Sequence, residues 1–162
     1  MRGLLPTPDP NRLVLLEDAT GTHHVRILDL KTEKVAKDFG ERWVSDCTLS
    51  PDGKALWAVG SFGLNAWDLT ALRAAGEDDD PQAECLAFVP GADRLLVGNE
   101  NTHRTRLAVY RVDGFGVERL RAVQEHRRDI TSLAVSPDGR LAASGDESGV
   151  IKVWDVPTLT RP

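Results

Sequence analysis

The sequence predicts an all-β protein assembled from one repeated unit, a small antiparallel sheet of four short strands. Three observations carry this. The tight-turn signature Ser-Pro-Asp-Gly occurs at residues 50–53 and again at 136–139, 86 residues apart, or two periods of 43. Each copy is flanked by short runs in which apolar and polar residues alternate, the period of a half-buried strand. Leu28, Trp67, Tyr110 and Trp154 end four similar apolar runs at spacings of 39, 43 and 44 residues. A period near 40 with four strands per repeat is the pattern of stacked propeller blades.

The elements can be justified in order from the last repeat, where the signal is plainest. Residues 130–135 (ITSLAV) read as a first strand. In the turn that follows, Pro137 presets φ, Ser136 and Asp138 offer side-chain oxygens to nearby amides, and Gly139 supplies positive φ. Residues 140–145 and 150–156 then give second and third strands. The second repeat has the same order: 43–49, the turn, 54–60 and 64–69. A degenerate third lies between them, with 84–88, a Val-Pro-Gly-Ala-Asp turn at 89–93, 94–97 and 106–112. A fourth copy opens the chain, with Thr7-Pro8-Asp9-Pro10 as its turn and 12–16 and 24–30 as strands. Fourth strands fit at 34–39, 72–75 and 117–123. The blades therefore cover approximately 1–39, 40–79, 80–123 and 124–162, a single domain of four units stacked face to face.

Composition narrows the function classes. Of 162 residues, 41% are hydrophobic and 28% charged, the balance of a globular domain. A net charge of −5 with dispersed basic residues argues against a nucleic-acid backbone as partner. Cys47 and Cys85 lie in apolar runs without metal-ligand spacing and read as buried thiols. No run approaches the roughly 20 apolar residues of a membrane helix, and residues 1–12 lack the apolar core of a signal peptide, so the expected compartment is cytoplasmic.

His126, the Ser-Pro-Asp-Gly turn, Ser144 and the pair Trp154-Asp155 together resemble the WD-repeat β-propeller family. The likeness spans the chain, strongest in the last repeat and clear in the second. It implies a hydrogen-bonded network of His126, Ser144 and Trp154, with an Asp as fourth member. That Asp position falls on Ser148, so the network is expected to be incomplete. In the second repeat only Trp67 remains, with Gly40 and Ala58 at the His and Ser positions. Trp57, whose counterpart in the last repeat is the small Ala143, reads as filler between blades.

Members of that family usually close rings of about seven blades, and propellers in general have ~4–8. Both ends of the chain read as incomplete blades. Three resolutions stand: a four-bladed ring, a homodimer closing eight blades, or a fragment completed by another chain or domain. The homodimer is the favoured expectation, because closure through the terminal blades removes both exposed edges.

No GxSxG elbow, P-loop, HExxH or CxxC pair is present, and the expectation is a protein without catalytic residues, metal or cofactor. Asp46 and Glu84 are the only carboxylates in first strands that could line a channel, and a wet channel accounts for them. The run Glu77-Asp78-Asp79-Asp80 lacks the spacing of a calcium loop. Neighbouring His23 and His24 point to opposite faces of a strand, and His103 lies in a polar loop, so no metal set forms.

The resemblance implies a docking face where loops enter first strands and join second to third strands. Here those loops carry Arg42, Trp43, Phe62, Arg104, Arg127, Arg128 and Glu147. Trp and Arg are the residue types most enriched at interface hot spots. The expected function is a non-enzymatic scaffold binding a protein or peptide. The alternative is an assembly module whose loops hold no specific ligand.

Overall fold

The computed structural model describes residues 3–19, 22–41, 43–61, 63–78, 83–98 and 106–160. Strands β1 (Gly3–Pro6), β2 (Arg12–Ala19), β3 (Thr22–Asp29) and β4 (Lys34–Glu41) form blade 1 as a meander in chain order. Blade 2 is β5 (Val44–Leu49), β6 (Ala55–Gly60), β7 (Gly63–Asp68) and β8 (Arg73–Asp78). Blade 3 is β9 (Cys85–Phe88), β10 (Arg94–Gly98), β11 (Arg106–Asp113) and β12 (Gly116–Gln124). Blade 4 has three strands, β13 (Ile130–Val135), β14 (Leu141–Asp146) and β15 (Ile151–Asp155), followed by a one-turn helix α1 (Val156–Leu159). Every pairing is antiparallel.

The turn chemistry explains the repeat. In blade 2 the Ser50 hydroxyl donates to Asp52 Oδ1 at 2.6 Å and accepts from the Ala55 N–H at 3.0 Å. In blade 4 Ser136 does the same with Asp138 and Leu141, at 2.6 and 2.9 Å. Gly53 and Gly139 take φ of 67° and 68°, as the turn requires, and each packs on the turn of the preceding blade. A Cβ on Gly53 would stand 2.0 Å from Pro8 Cγ, and one on Gly139 2.8 Å from the Pro90 carbonyl oxygen.

After the third strand, a carboxylate organises the next turn. Asp29 Oδ1 accepts from the amides of Lys31 and Thr32, and Asp68 Oδ1 from those of Thr70 and Ala71. In blade 4 the residue two beyond Asp155 is Pro157, which has no N–H to give. Asp155 instead caps α1, accepting from the N–H and the hydroxyl of Thr158 at 2.9 and 2.6 Å. Val156 and Leu159 are buried in the core between blades 3 and 4.

Three cores lie between successive sheets. Val14, Val25 and Ile27 meet Leu56, Ala58 and Trp67 between blades 1 and 2. Trp57, Val59 and Leu64 meet Leu86, Leu95 and Tyr110 between blades 2 and 3. Leu96, Leu107 and Val109 meet Ile130, Ala142 and Trp154 between blades 3 and 4. The marker residues hold one register: Leu28 pairs Leu13, Trp67 pairs Leu56, Tyr110 pairs Leu95 and Trp154 pairs Ala142. In the three blades with a fourth strand, a register shift falls just before that marker, between Ile27 and Leu28, Ala66 and Trp67, and Val109 and Tyr110. Such bulges increase local twist, so the outer edges turn alike and the sheets stay nested.

Candidate protein-binding rim and its supporting network

The rim where chain segments enter the first strands is built from backbone clamps. In blade 4 the Glu147 N–H donates to the Asp129 carbonyl at 3.0 Å, and in blade 2 the Ser61 N–H donates to the Trp43 carbonyl at 3.2 Å. These matching bonds hold the loop entering the first strand against the loop leaving the second. Arg127, Arg128 and Glu147 are thereby brought together, all exposed, on blade 4. Trp43 holds the corresponding place on blade 2, with 53% of its surface exposed. Arg42, Phe62 and Arg104 lie outside the described residues, as do His103, Asp79 and Asp80.

Trp43 is supported from beneath. Its indole lies 4.5 Å, ring centre to ring centre, from the buried His23 of blade 1. His23 Nδ1 is 3.2 Å from the Val44 carbonyl oxygen, so the ring bridges two blades. Gly60 makes room for this: a Cβ there would stand 1.6 Å from the Trp43 carbonyl oxygen. His24, on the opposite face of β3, meets Asp38. No group of three His, Cys, Asp or Glu able to hold a metal occurs among the described residues.

Blade 4 is fixed by a polar network buried against blade 3. Donor and acceptor accounting assigns its bonds. Trp154 Nε1–H donates to Ser144 Oγ at 2.8 Å, and the Ser144 hydroxyl donates to His126 Nε2 at 2.7 Å. His126 Nδ1–H donates to Asp146 Oδ2 at 2.9 Å. The other Asp146 oxygen accepts from the hydroxyl and N–H of Ser148, at 2.6 and 3.0 Å, and from the Val150 N–H at 3.1 Å. The expectation that Ser148 stands where the Asp should be, leaving the network incomplete, is corrected. The fourth member is Asp146, at the end of β14, and Ser148 is a donor to it. The register decides this: Asp146 lies two residues beyond Ser144, on the same face of the strand. The Ser148 hydroxyl first, then His126 and the two amides, holds the Asp146 carboxyl well below the usual carboxylate range.

Asp46, read from the sequence as a channel carboxylate, serves a different purpose. Its Oδ2 accepts from the Leu86 N–H of the next blade at 3.0 Å, and its Oδ1 from the Cys47 N–H at 2.8 Å. Burial raises its pKa, against the lowering effect of these two amides. Glu84 is exposed. Nothing in the sequence singled out the His23–Trp43 stack or the Asp46–Leu86 bond, because each joins residues of different repeats. The filler reading of Trp57 is matched by its placement: it is 1% exposed in the blade 2–3 core, edge-on to Phe88.

Residues 117–155 match the family described as WD domain, G-beta repeat. The COMPASS component SWD1 of Saccharomyces cerevisiae is 36% identical over 83 residues, 50% of this chain and 19% of that protein. Protein groucho of Drosophila melanogaster is 27% identical over 138 residues, 83% of this chain and 18% of that protein. The chain spans about a fifth of the length of the curated relatives it matches. A chain of the mitotic checkpoint complex superposes with a TM-score of 0.79 at 17% identity, over 95% of this chain and 50% of that one, a likeness of fold. Repeat, register, network and relatives agree: residues 117–155 are a WD repeat, and the chain as a whole is similar to the WD-repeat family.

Proposed function

We propose that this chain is a non-enzymatic scaffold that binds a protein or peptide on the rim carrying Trp43, Arg127, Arg128 and Glu147, and that it self-associates to complete its ring. The observation that carries the rim is Trp43. A large apolar ring left half in water is costly, yet this one is held in place by His23 and by the cleared space at Gly60. Such a rigid aromatic anchor loses little entropy when a partner covers it. The relatives support the class: WD-repeat proteins are in general interaction scaffolds, and one relative is by name a component of a complex. The commitment of Asp46 to backbone amides supports the absence of channel catalysis.

Panning a library of random peptides displayed on phage tests the reading. The folded chain is expected to enrich peptides that Trp43→Ala, equally folded by circular dichroism, no longer retains. Enrichment of nothing, or equal retention by Trp43→Ala, would favour an assembly module without a ligand on this rim.

A further inference from the structure

Among the described residues, two sheet faces have no neighbour, and their residues correspond position by position to faces that do. In blade 2 the cross-strand pairs Trp57–Ala66 and Val59–Leu64 point at blade 3 and are buried there. In blade 3 the same register positions are Leu96–Val109 and Gly98–Leu107, facing blade 4, with Leu96, Val109 and Leu107 buried. In blade 4 they are Ala143–Val153 and Gly145–Ile151. There Ile151 is 72% exposed and Val153 67%, with Leu141 half exposed beside them.

The opposite kind of face, the one that receives a preceding blade, is built on the marker pairs Leu56–Trp67, Leu95–Tyr110 and Ala142–Trp154. Blade 1 has the same pair in Leu13–Leu28, flanked by the half-exposed Leu4 and Val35. The charges on this face are paired among themselves: Arg26 bonds Glu17 and Asp38, and His24 meets Asp38. Docking would therefore strand no lone ion in a dry seam.

We infer that the outer face of blade 4 receives blade 1 of a second copy of this chain, in the register of the three internal seams. The inference rests on the self-association reading and names the surfaces that carry it. A donor face and a receiving face on one chain make a head-to-tail contact, and two such contacts related by a two-fold axis close a ring. The matched chain of the mitotic checkpoint complex supports a second copy as occupant: 95% of this fold lies over 50% of that chain, the share that leaves room for one more copy. Leu141, Ile151 and Val153 then lie against Leu4, Leu13 and Leu28 of the other copy, and both exposed apolar patches are covered.

Molar mass by light scattering on a sizing column tests this with the full chain. The unaltered protein is expected at twice the chain mass, and Ile151→Asp/Val153→Asp and Leu4→Asp/Leu28→Asp each at one chain mass. An equal mixture of the two variants is expected to recover twice the chain mass, because each supplies the intact face that the other lacks. A single-chain mass for the unaltered protein overturns both the self-association reading and this seam. Twice the mass for the unaltered protein and for both variants overturns the seam alone. Variants that stay single when mixed also overturn it, whether they fail through other surfaces or through loss of fold.

Discussion

The carboxylate of Asp46 in β5 crosses a blade boundary and accepts a hydrogen bond from the backbone N–H of Leu86 in β9, at 3.0 Å. Two first strands are joined by one side chain whose burial opposes its own ionisation. Removing it by Asp46→Ala leaves the Leu86 amide without this acceptor, at a cost of about 1–3 kcal/mol. The pH dependence has a definite sign. Because the folded carboxyl binds a proton more readily than the unfolded one, the folded protein gains stability as pH falls through the raised folded value toward about 3.9. The stability gap between the unaltered protein and Asp46→Ala should therefore widen over that window, as read by urea titrations at a series of pH values.

Asp146 is expected to act in the opposite sense. Its folded pKa is depressed, first by the Ser148 hydroxyl, so its contribution is present above about 3.9 and is lost as pH falls toward the folded value. Asp146→Asn should flatten the acid limb of the stability curve, measured by thermal melts. A variant as acid-sensitive as the unaltered protein would place the acid-labile group elsewhere.

Ser144 is the centre of the blade 4 network, donating to one ring and accepting from the other. Ser144→Ala should cost about 1–3 kcal/mol, because the buried His126 ring loses its donor and the part-buried Trp154 N–H its acceptor. Combined with Trp154→Phe, the two changes should be non-additive by about 0.5–3 kcal/mol, as residues of one network are. Additive effects in denaturant titrations would mean that the bond contributes nothing of its own.

Gly53 and Gly91 separate two costs of placing a side chain in a turn. Both have positive φ, 67° and 72°, but a Cβ on Gly91 meets nothing within 4 Å whereas one on Gly53 meets Pro8. Gly91→Ala should lose about 1–2 kcal/mol from the left-handed conformation. Gly53→Ala should lose more, and the excess measures the contact between the turns of blades 1 and 2.

Both thiols are pushed up to about 12, by burial first and then by the charge of Asp46. Cys47 and Cys85 should resist alkylation at pH 8 in the folded protein and react at once in denaturant. Mass spectrometry of the labelled chain reads the result.

Much of the fold was legible because the repeat states it several times. Ser50 and Ser136 stand in identical turns, and the spacing of Trp67 and Trp154 gives the register of their strands directly. Legibility stopped where one residue overrides the repeat. Pro157 lacks the amide hydrogen that the turns at Asp29 and Asp68 use, and in its place Asp155 caps a one-turn helix. The candidate site was less legible for a related reason. Asp146 is hidden because the family pattern sets its Asp in a turn, whereas the register of β14 sets it on the strand, two residues from Ser144. His23 and Trp43 belong to different repeats, and no period brings them together.

The three seams share a mechanical feature. Each is mostly apolar, held by forces without direction. Each also has a polar tie across it: His23 Nδ1 with the Val44 carbonyl oxygen, the Leu86 N–H with Asp46, and the Cys85 thiol with the Ile130 carbonyl oxygen. Apolar layers tolerate small sliding, while hydrogen bonds lose strength steeply with angle. Every tie reaches a first strand, whereas the network from indole to carboxylate lies within blade 4 and stiffens that sheet alone. The stack would thus spread at its outer strands before its first ones, like a fan held at the pivot.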